Sequence, residues 1–219
     1  MADATDLQDV SFRRYLTEDL GPCSRIAEEA WPAGPELASE GQEPWSLEGY
    51  IESSLLIPNW TDIAYDQDGV AGFLFGRIKG LRGGSPRAGS GLNQISIISR
   101  FFFGERWLTR GILGLFWRLS LTEMKLLVNM PRSDATIELF IVGSKHRGRG
   151  IGMMLFNRFL KAARNAGASV VTVYTEDKMS NWQFYEKCGF RKVATSHDDL
   201  TSYFSGIDTN AIVYALELR

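Results

Sequence analysis

Cysteine is scarce in this chain: Cys23 and Cys188 are the only two in 219 residues. They lie far apart with no further ligand beside either, which excludes a disulfide framework or a cysteine-based structural zinc site and fits a reducing, cytoplasmic setting. The two histidines, His146 and His197, stand alone; without ligand spacing they predict surface residues and no metal. No sign of charge dominates, since 24 Lys and Arg face 26 Asp and Glu for a net charge of -2. A chain so balanced has no broad positive field for nucleic acid or an anionic membrane, so neither is expected as a partner. Long apolar runs are missing as well: the most apolar stretch, residues 111–130, is interrupted by Arg118, Glu123 and Lys125, well short of the roughly 18 uninterrupted residues of a spanning helix. Residues 1–10 hold three Asp and no apolar segment, so no export signal is expected there. No internal repeat is visible.

What is present is a core. At 44% hydrophobic residues the chain can bury an ordinary interior, and its length predicts a single domain over 1–219. Residues 10–15 alternate like a half-buried strand. Thr17 then offers a cap, with Glu18 and Asp19 in the first turn of a helix reaching about Ala30. Proline and glycine at 32–35 stop it, and a second helix is predicted from Ser46 to about Ile57, before Pro58. Residues 62–65 and 70–79 read as an antiparallel pair turned at Asp66-Gln67-Asp68-Gly69. Five glycines with Pro86 across 80–93 predict a surface loop. The aromatic and aliphatic residues over 95–130, with Trp107, Leu108, Ile112, Leu115, Leu119 and Leu126 near helical spacing, predict an inserted helical segment. Its stripe would pack on the parent core, cover the substrate, or form a homodimer face. The loop and helices together make an insertion at about 80–132.

From Ala135 the pattern sharpens: a strand over 136–142, a glycine turn, a helix from about Gly150 to Ala166 stopped by Gly167, and a strand over 169–175. Parallel strands need such a crossover, so the two strands should be neighbours with the glycine turn at the carboxyl end of the first. A short helix over 180–188, a strand over 190–194 and a last strand over 211–218 complete the sheet.

The turn carries the chemistry. Gly148, Gly150 and Gly152 alternate where the helix begins; glycine lets the backbone approach a ligand closely, and unpaired N–H groups at a helix start hold phosphate oxygens. Lys145, His146, Arg147 and Arg149 add local positive charge. The cradle is neither the dinucleotide fingerprint, because Met153 stands where its last glycine would be, nor a P-loop, because no Gly-Lys-Ser/Thr follows.

Arg147, Gly150 and Gly152 after such a strand, with Phe184-Tyr185-Glu186-Lys187-Cys188-Gly189-Phe190 about 35 residues downstream, resemble the GNAT (Gcn5-related N-acetyltransferase) family, whose motifs are Arg/Gln-x-x-Gly-x-Gly/Ala and F-Y-E-K-x-G-F. The likeness is firmest over 135–194. It implies an α/β fold: a mixed, mostly antiparallel sheet with a central splayed parallel pair and helices on both faces. It also implies acetyl-CoA as co-substrate. The main chain of Phe140, Ile141 and Val142 would bind the pantetheine arm as an added strand would, and Arg147, Gly148, Arg149, Gly150, Ile151 and Gly152 would hold the pyrophosphate. Tyr185 matches the tyrosine that protonates the departing thiolate.

An attacking amine must lose a proton, so a carboxylate is expected near the sulfur. Glu138, which interrupts an apolar strand two residues before Phe140 and hence on its face, is the first candidate; Glu176 and Asp177 are alternatives. Many family members carry Asn seven residues before the tyrosine, where this chain has Lys178. Asn181, followed by Trp182, is the nearest asparagine and is carried as a cofactor-binding candidate. Cys188 occupies a variable motif position with no histidine nearby in sequence, against a nucleophilic role. The resulting expectation is acetyl transfer to a primary amine, with a small-molecule acceptor preferred over a peptide amine. A non-catalytic acyl-CoA-binding module is the rival from another class.

Overall fold

The computed structural model describes residues 10–31, 47–81, 132–178, 180–198, 202 and 206–218. The expected loop and helical insertion at 80–132 thus lie outside the described residues, apart from their ends. Seven strands form one sheet: β1 (Ser11–Arg14), β2 (Trp60–Asp66), β3 (Gly69–Ile78), β4 (Ala135–Val142), β5 (Val170–Glu176), β6 (Arg191–His197) and β7 (Asn210–Glu217), in the order β1-β2-β3-β4-β5-β7-β6. Every neighbouring pair is antiparallel except β4 and β5.

Among the described residues four α-helices accompany the sheet: α1 (Leu20–Ala30), α2 (Leu47–Ser54), α3 (Ile151–Asn165) and α4 (Gln183–Lys187). Thr17 does not cap α1 as expected. It opens a short 3-10 turn, Thr17–Asp19, in which the Asp19 carboxylate accepts the Leu16 N–H at 2.8 Å and a forked pair of bonds from Arg13 at 2.6 and 2.7 Å. A carboxylate buried there is kept by those charge-assisted bonds, and the α-helix starts one residue later.

The two larger cores among the described residues sit on opposite faces. On one, α3 buries Ile151, Leu155, Phe156, Phe159, Leu160 and Ala163, a stripe at helical period, against Ala64, Leu74, Ile137, Val171 and Ile212. On the other, α1 and α2 cover Ile63, Phe73, Phe75, Leu139 and Ile141. Central strand β3 is covered on both faces and so reads as a nearly continuous apolar run. Full burial of a side chain such as Phe73 contributes roughly 1.5–3 kcal/mol.

Two irregularities in β4 shape the site. Phe75 pairs with Leu139 and Gly76 with Ile137, so Glu138 is the extra residue of a β-bulge. Across it the alternation breaks: Ile137 packs under α3, whereas Leu139, two residues on, packs under α1 and α2. On the other side, β5 pairs with β4 only through Ala135, Thr136 and Ile137. Beyond Ile137 the strands part, and β5 pairs with none of residues 139–142. No described helix is long and apolar enough to cross a membrane.

Candidate functional site

The parting of β4 and β5 opens a cleft of about 730 Å³. Residues from both faces line it: Trp31 and Tyr50 from the α1–α2 side, Gly152, Phe184 and Tyr185 from the α3–α4 side. It therefore reaches through the sheet.

At one end lies the glycine turn. Gly148 and Gly150 hold φ of 77° and 82°, and Gly150 is the N-cap of α3. Only glycine adopts such angles without strain, which is why the alternation of glycines coincides with the helix start. No side chain caps α3, so the first-turn N–H groups at Ile151, Gly152 and Met153 are open to an anion. A Cβ on Gly148 would meet nothing within 4 Å, so the turn has open space above it. The Arg147 Nε donates to the Val142 carbonyl at 3.1 Å, pinning the guanidinium beside the turn. These features fit a pyrophosphate. The Arg149 guanidinium lies 3.8 Å from the Asp66 carboxylate of the β2–β3 hairpin. Nothing within the motif itself announces that partner.

Along the cleft run Phe140, Ile141 and Val142, which β5 does not pair; apart from the Val142 carbonyl taken by Arg147, this stretch offers an edge to an extended amide-bearing ligand. Phe140 packs edge-on to Phe184 at 5.5 Å.

The block Phe184–Phe190 owes its form to the end of α4. Gly189, at φ 89°, lets the Phe190 N–H reach the Tyr185 carbonyl at 3.0 Å and its own N–H reach Glu186 at 3.0 Å, a Schellman closure whose apolar contact is Tyr185 on Phe190 at 5.7 Å. The cap thereby fixes Tyr185. Tyr185 is 8% exposed and lines the cleft, its hydroxyl has no hydrogen bond among the described residues, and burial, reinforced by the Glu176 charge, raises its pKa. It stays a protonated donor.

Three carboxylates were candidates at this end. Glu138 lines the cleft but is exposed, at the bulge. The expectation that it shares a face with Phe140 fails because a bulge interrupts the strand's two-residue period: Phe140 packs with the α3 core, while Glu138 lies close enough to Tyr50 of α2 for its charge to help raise that phenol. Tyr50 is pushed up to about 12, mainly by burial and then by Glu176 and Glu138. Asp177 is committed to structure, accepting Thr209 Oγ1 at 2.8 Å, the Asn210 N–H at 2.9 Å and Asn210 Nδ2 at 2.8 Å. Glu176, half-buried at the end of β5, lines the cleft, and no other described residue donates to or pairs with its carboxylate. Burial, then the neighbouring Asp198 and Asp177 charges, push its pKa up to about 7. The Ser180 hydroxyl donates to the Glu176 carbonyl at 2.6 Å and the Trp182 indole to Asp177 at 2.9 Å, holding the loop that carries it.

Asn181 and Lys178 also line the cleft. The Asn181 carbonyl accepts the Phe184 N–H at 3.0 Å, and the Lys178 ammonium donates to the Asp208 carbonyl. Trp31 and Tyr50, packed edge-on at 5.9 Å, are cleft residues that sequence reasoning missed; both lie outside the motifs, one just past the end of α1 and the other on α2, which only the fold brings over β4. Cys188 is part-buried with its thiol pKa raised by burial, opposite to what a nucleophile needs.

Residues 111–190 match the acetyltransferase (GNAT) family model, a match that begins within the segment read as an insertion. No curated protein sequence matches the chain. Among solved structures, the fold resembles SsHAT (TM-score 0.61, 16% identity, covering 95% of this chain and 98% of that one). It also resembles Ard1 from Thermoplasma volcanium (0.56, 15%, 96% and 99%) and an N-acetyltransferase from Staphylococcus aureus Mu50 (0.53, 14%, 97% and 100%). The matched span contains the bulged strand, the glycine turn and the tyrosine block that line the cleft, so these residues are similar to the acetyltransferase (GNAT) family and the fold around them is shared with solved acetyltransferases.

Proposed function

We propose that this protein transfers an acetyl group from acetyl-CoA to a primary amine by direct attack, with a small molecule as acceptor. The observation that carries the reading is one cleft shared by four features: an uncapped helix start, a strand that parts from β5, a buried tyrosine whose hydroxyl has no hydrogen bond among the described residues and a carboxylate near neutrality. The α3 start with Gly148, Gly150 and Gly152 would hold the pyrophosphate. The main chain of residues 140–142 would hold the pantetheine arm. When bound, the cofactor supplies an acetyl thioester. Open N–H groups along the bulged strand would polarise its carbonyl, and Tyr185 would hand a proton to the leaving sulfur.

Glu176 takes the place of Glu138 as the base. A group with a pKa of about 7 is partly ionised at neutral pH and still basic enough to take a proton from an ammonium as it is desolvated. The acceptor would enter from the side of Trp31 and Tyr50, since the turn and Tyr185 belong to the other face. An aromatic pair with carboxylates beside it suits a cation, and the cleft volume falls within the usual range for small-molecule sites.

Calorimetric titration with acetyl-CoA, followed by amine-dependent thiol release, tests this. Binding together with turnover is expected, and Tyr185→Phe should lower kcat roughly a hundredfold while sparing coenzyme A affinity. Unchanged turnover in that variant removes Tyr185 from the chemistry. Binding with no turnover on any amine leaves a binding module, and no binding by the folded wild type defeats the reading.

A further inference from the structure

The glycine turn is intrinsically loose, because Gly148 and Gly150 both sit at positive φ and Gly148 has nothing packed over it. A loose turn loses conformational freedom when it closes on an anion, and that loss subtracts from affinity. What holds it lies outside the motif. Asp66 ends β2 at the tip of the β2–β3 hairpin, far from the turn in sequence, and its side chain is 6% exposed.

One Asp66 oxygen accepts the Asp68 N–H at 2.9 Å, which fixes the carboxylate in the hairpin. The other lies 3.0 Å from His146 Nε2 and 3.8 Å from an Arg149 terminal nitrogen. His146 precedes Gly148 and Arg149 follows it, so a single carboxylate fastens the turn on both sides of its most open residue. The Gly143 N–H, donating to the Ala71 carbonyl at 3.0 Å, ties the start of the same loop to the same hairpin.

We infer that Asp66 is a positioning residue for coenzyme A: it pre-orders the pyrophosphate turn through His146 and Arg149, and Arg149 serves as a clasp to Asp66 rather than as a phosphate ligand. The inference rests on the reading of the turn as a pyrophosphate site. Basic residues in the motif then divide by function. Arg147, bonded to Val142 O, stays with the anion; His146 and Arg149 act through the carboxylate behind them.

The test combines Asp66→Asn, which keeps size and the Asp68 contact, with Arg149→Met and their double variant. Asp66→Asn should raise the coenzyme A Kd and the acetyl-CoA KM about tenfold with kcat at saturation unchanged. Arg149→Met should do the same, and the double variant should be no weaker than either single one, because both break one linkage. Additive losses would mean that Arg149 meets phosphate directly. Unchanged or tighter binding in Asp66→Asn would equally overturn the proposal. His146→Gln is the milder companion if Asp66→Asn does not fold, with the same expected direction. Amide hydrogen exchange over 147–152 without ligand separates this from the cofactor reading. Faster exchange in Asp66→Asn shows the clasp even if wild type fails to bind coenzyme A, and unchanged exchange removes it.

Discussion

At the scale of single residues, the cleft sorts three neighbouring carboxylates by environment. Asp177 is satisfied by hydrogen bonds, Glu138 stands exposed at a bulge, and Glu176 is desolvated among other acids. A carboxylate that must titrate near neutrality to do its work leaves a signature in rate. For Glu176 as base, log kcat/KM should climb with unit slope as pH rises towards about 7 and then level off. Glu176→Gln should remove that limb along with most of the activity, roughly a hundredfold or more at the plateau; a retained limb of the same midpoint would assign it elsewhere. Nothing in the string Tyr174-Thr175-Glu176-Asp177 distinguishes the two acids. Their separation arises from Asn210 and Thr209, which arrive from the far end of the chain, so the sequence could propose both and rank neither.

At the scale of elements, the strand–turn–helix from β4 to α3 was legible because each part is local: apolar strand, glycines at positive φ, amphipathic helix. The Schellman end of α4 was equally legible as a glycine one residue past a helix. The bulge was not, since a single additional residue in β4 is visible only against the register of β3, and it is what displaced Glu138 from the face of Phe140. Gly150→Glu tests the turn as an element. The left-handed angle costs a non-glycine residue about 1–2 kcal/mol, which for a chain of this size lowers Tm by a few degrees, while the added carboxylate occupies and repels the pyrophosphate position. Coenzyme A binding should vanish calorimetrically with the circular dichroism spectrum intact; binding retained would move the phosphate site away from the α3 start.

For the whole molecule, two antiparallel half-sheets meet at one short parallel pairing, and the second half is tied to the site through Asp177. That side chain would be raised by burial, but bonds from Asn210 and Thr209, with Lys178 nearby, hold it down at about 2 against an ordinary 3.8. Its folded pKa is below its unfolded one, so its stabilisation is complete above about pH 4 and fades as pH falls towards 2. Glu176 has the opposite sign: raised from 4.5 to about 7, it favours the fold most below 4.5 and loses that contribution as pH rises through 7. Thermal unfolding followed from pH 2 to 8 should show Tm falling below pH 4, and Asp177→Asn should flatten that acid limb while lowering Tm at pH 6. An acid limb unaltered in the variant would place the acid sensitivity in other carboxylates.

By itself the sequence determined the family resemblance, the order of the described strands and helices, and the glycine turn at Gly148, Gly150 and Gly152, because those depend on periodicity and on backbone angles that neighbouring residues impose. Only the tertiary structure decided which acid stands desolvated beside Tyr185, that Arg149 lies beside Asp66, and that Trp31 and Tyr50 wall the cleft. Desolvation and pairing are set by residues dozens of positions away, and no local pattern records which of them the fold brings near.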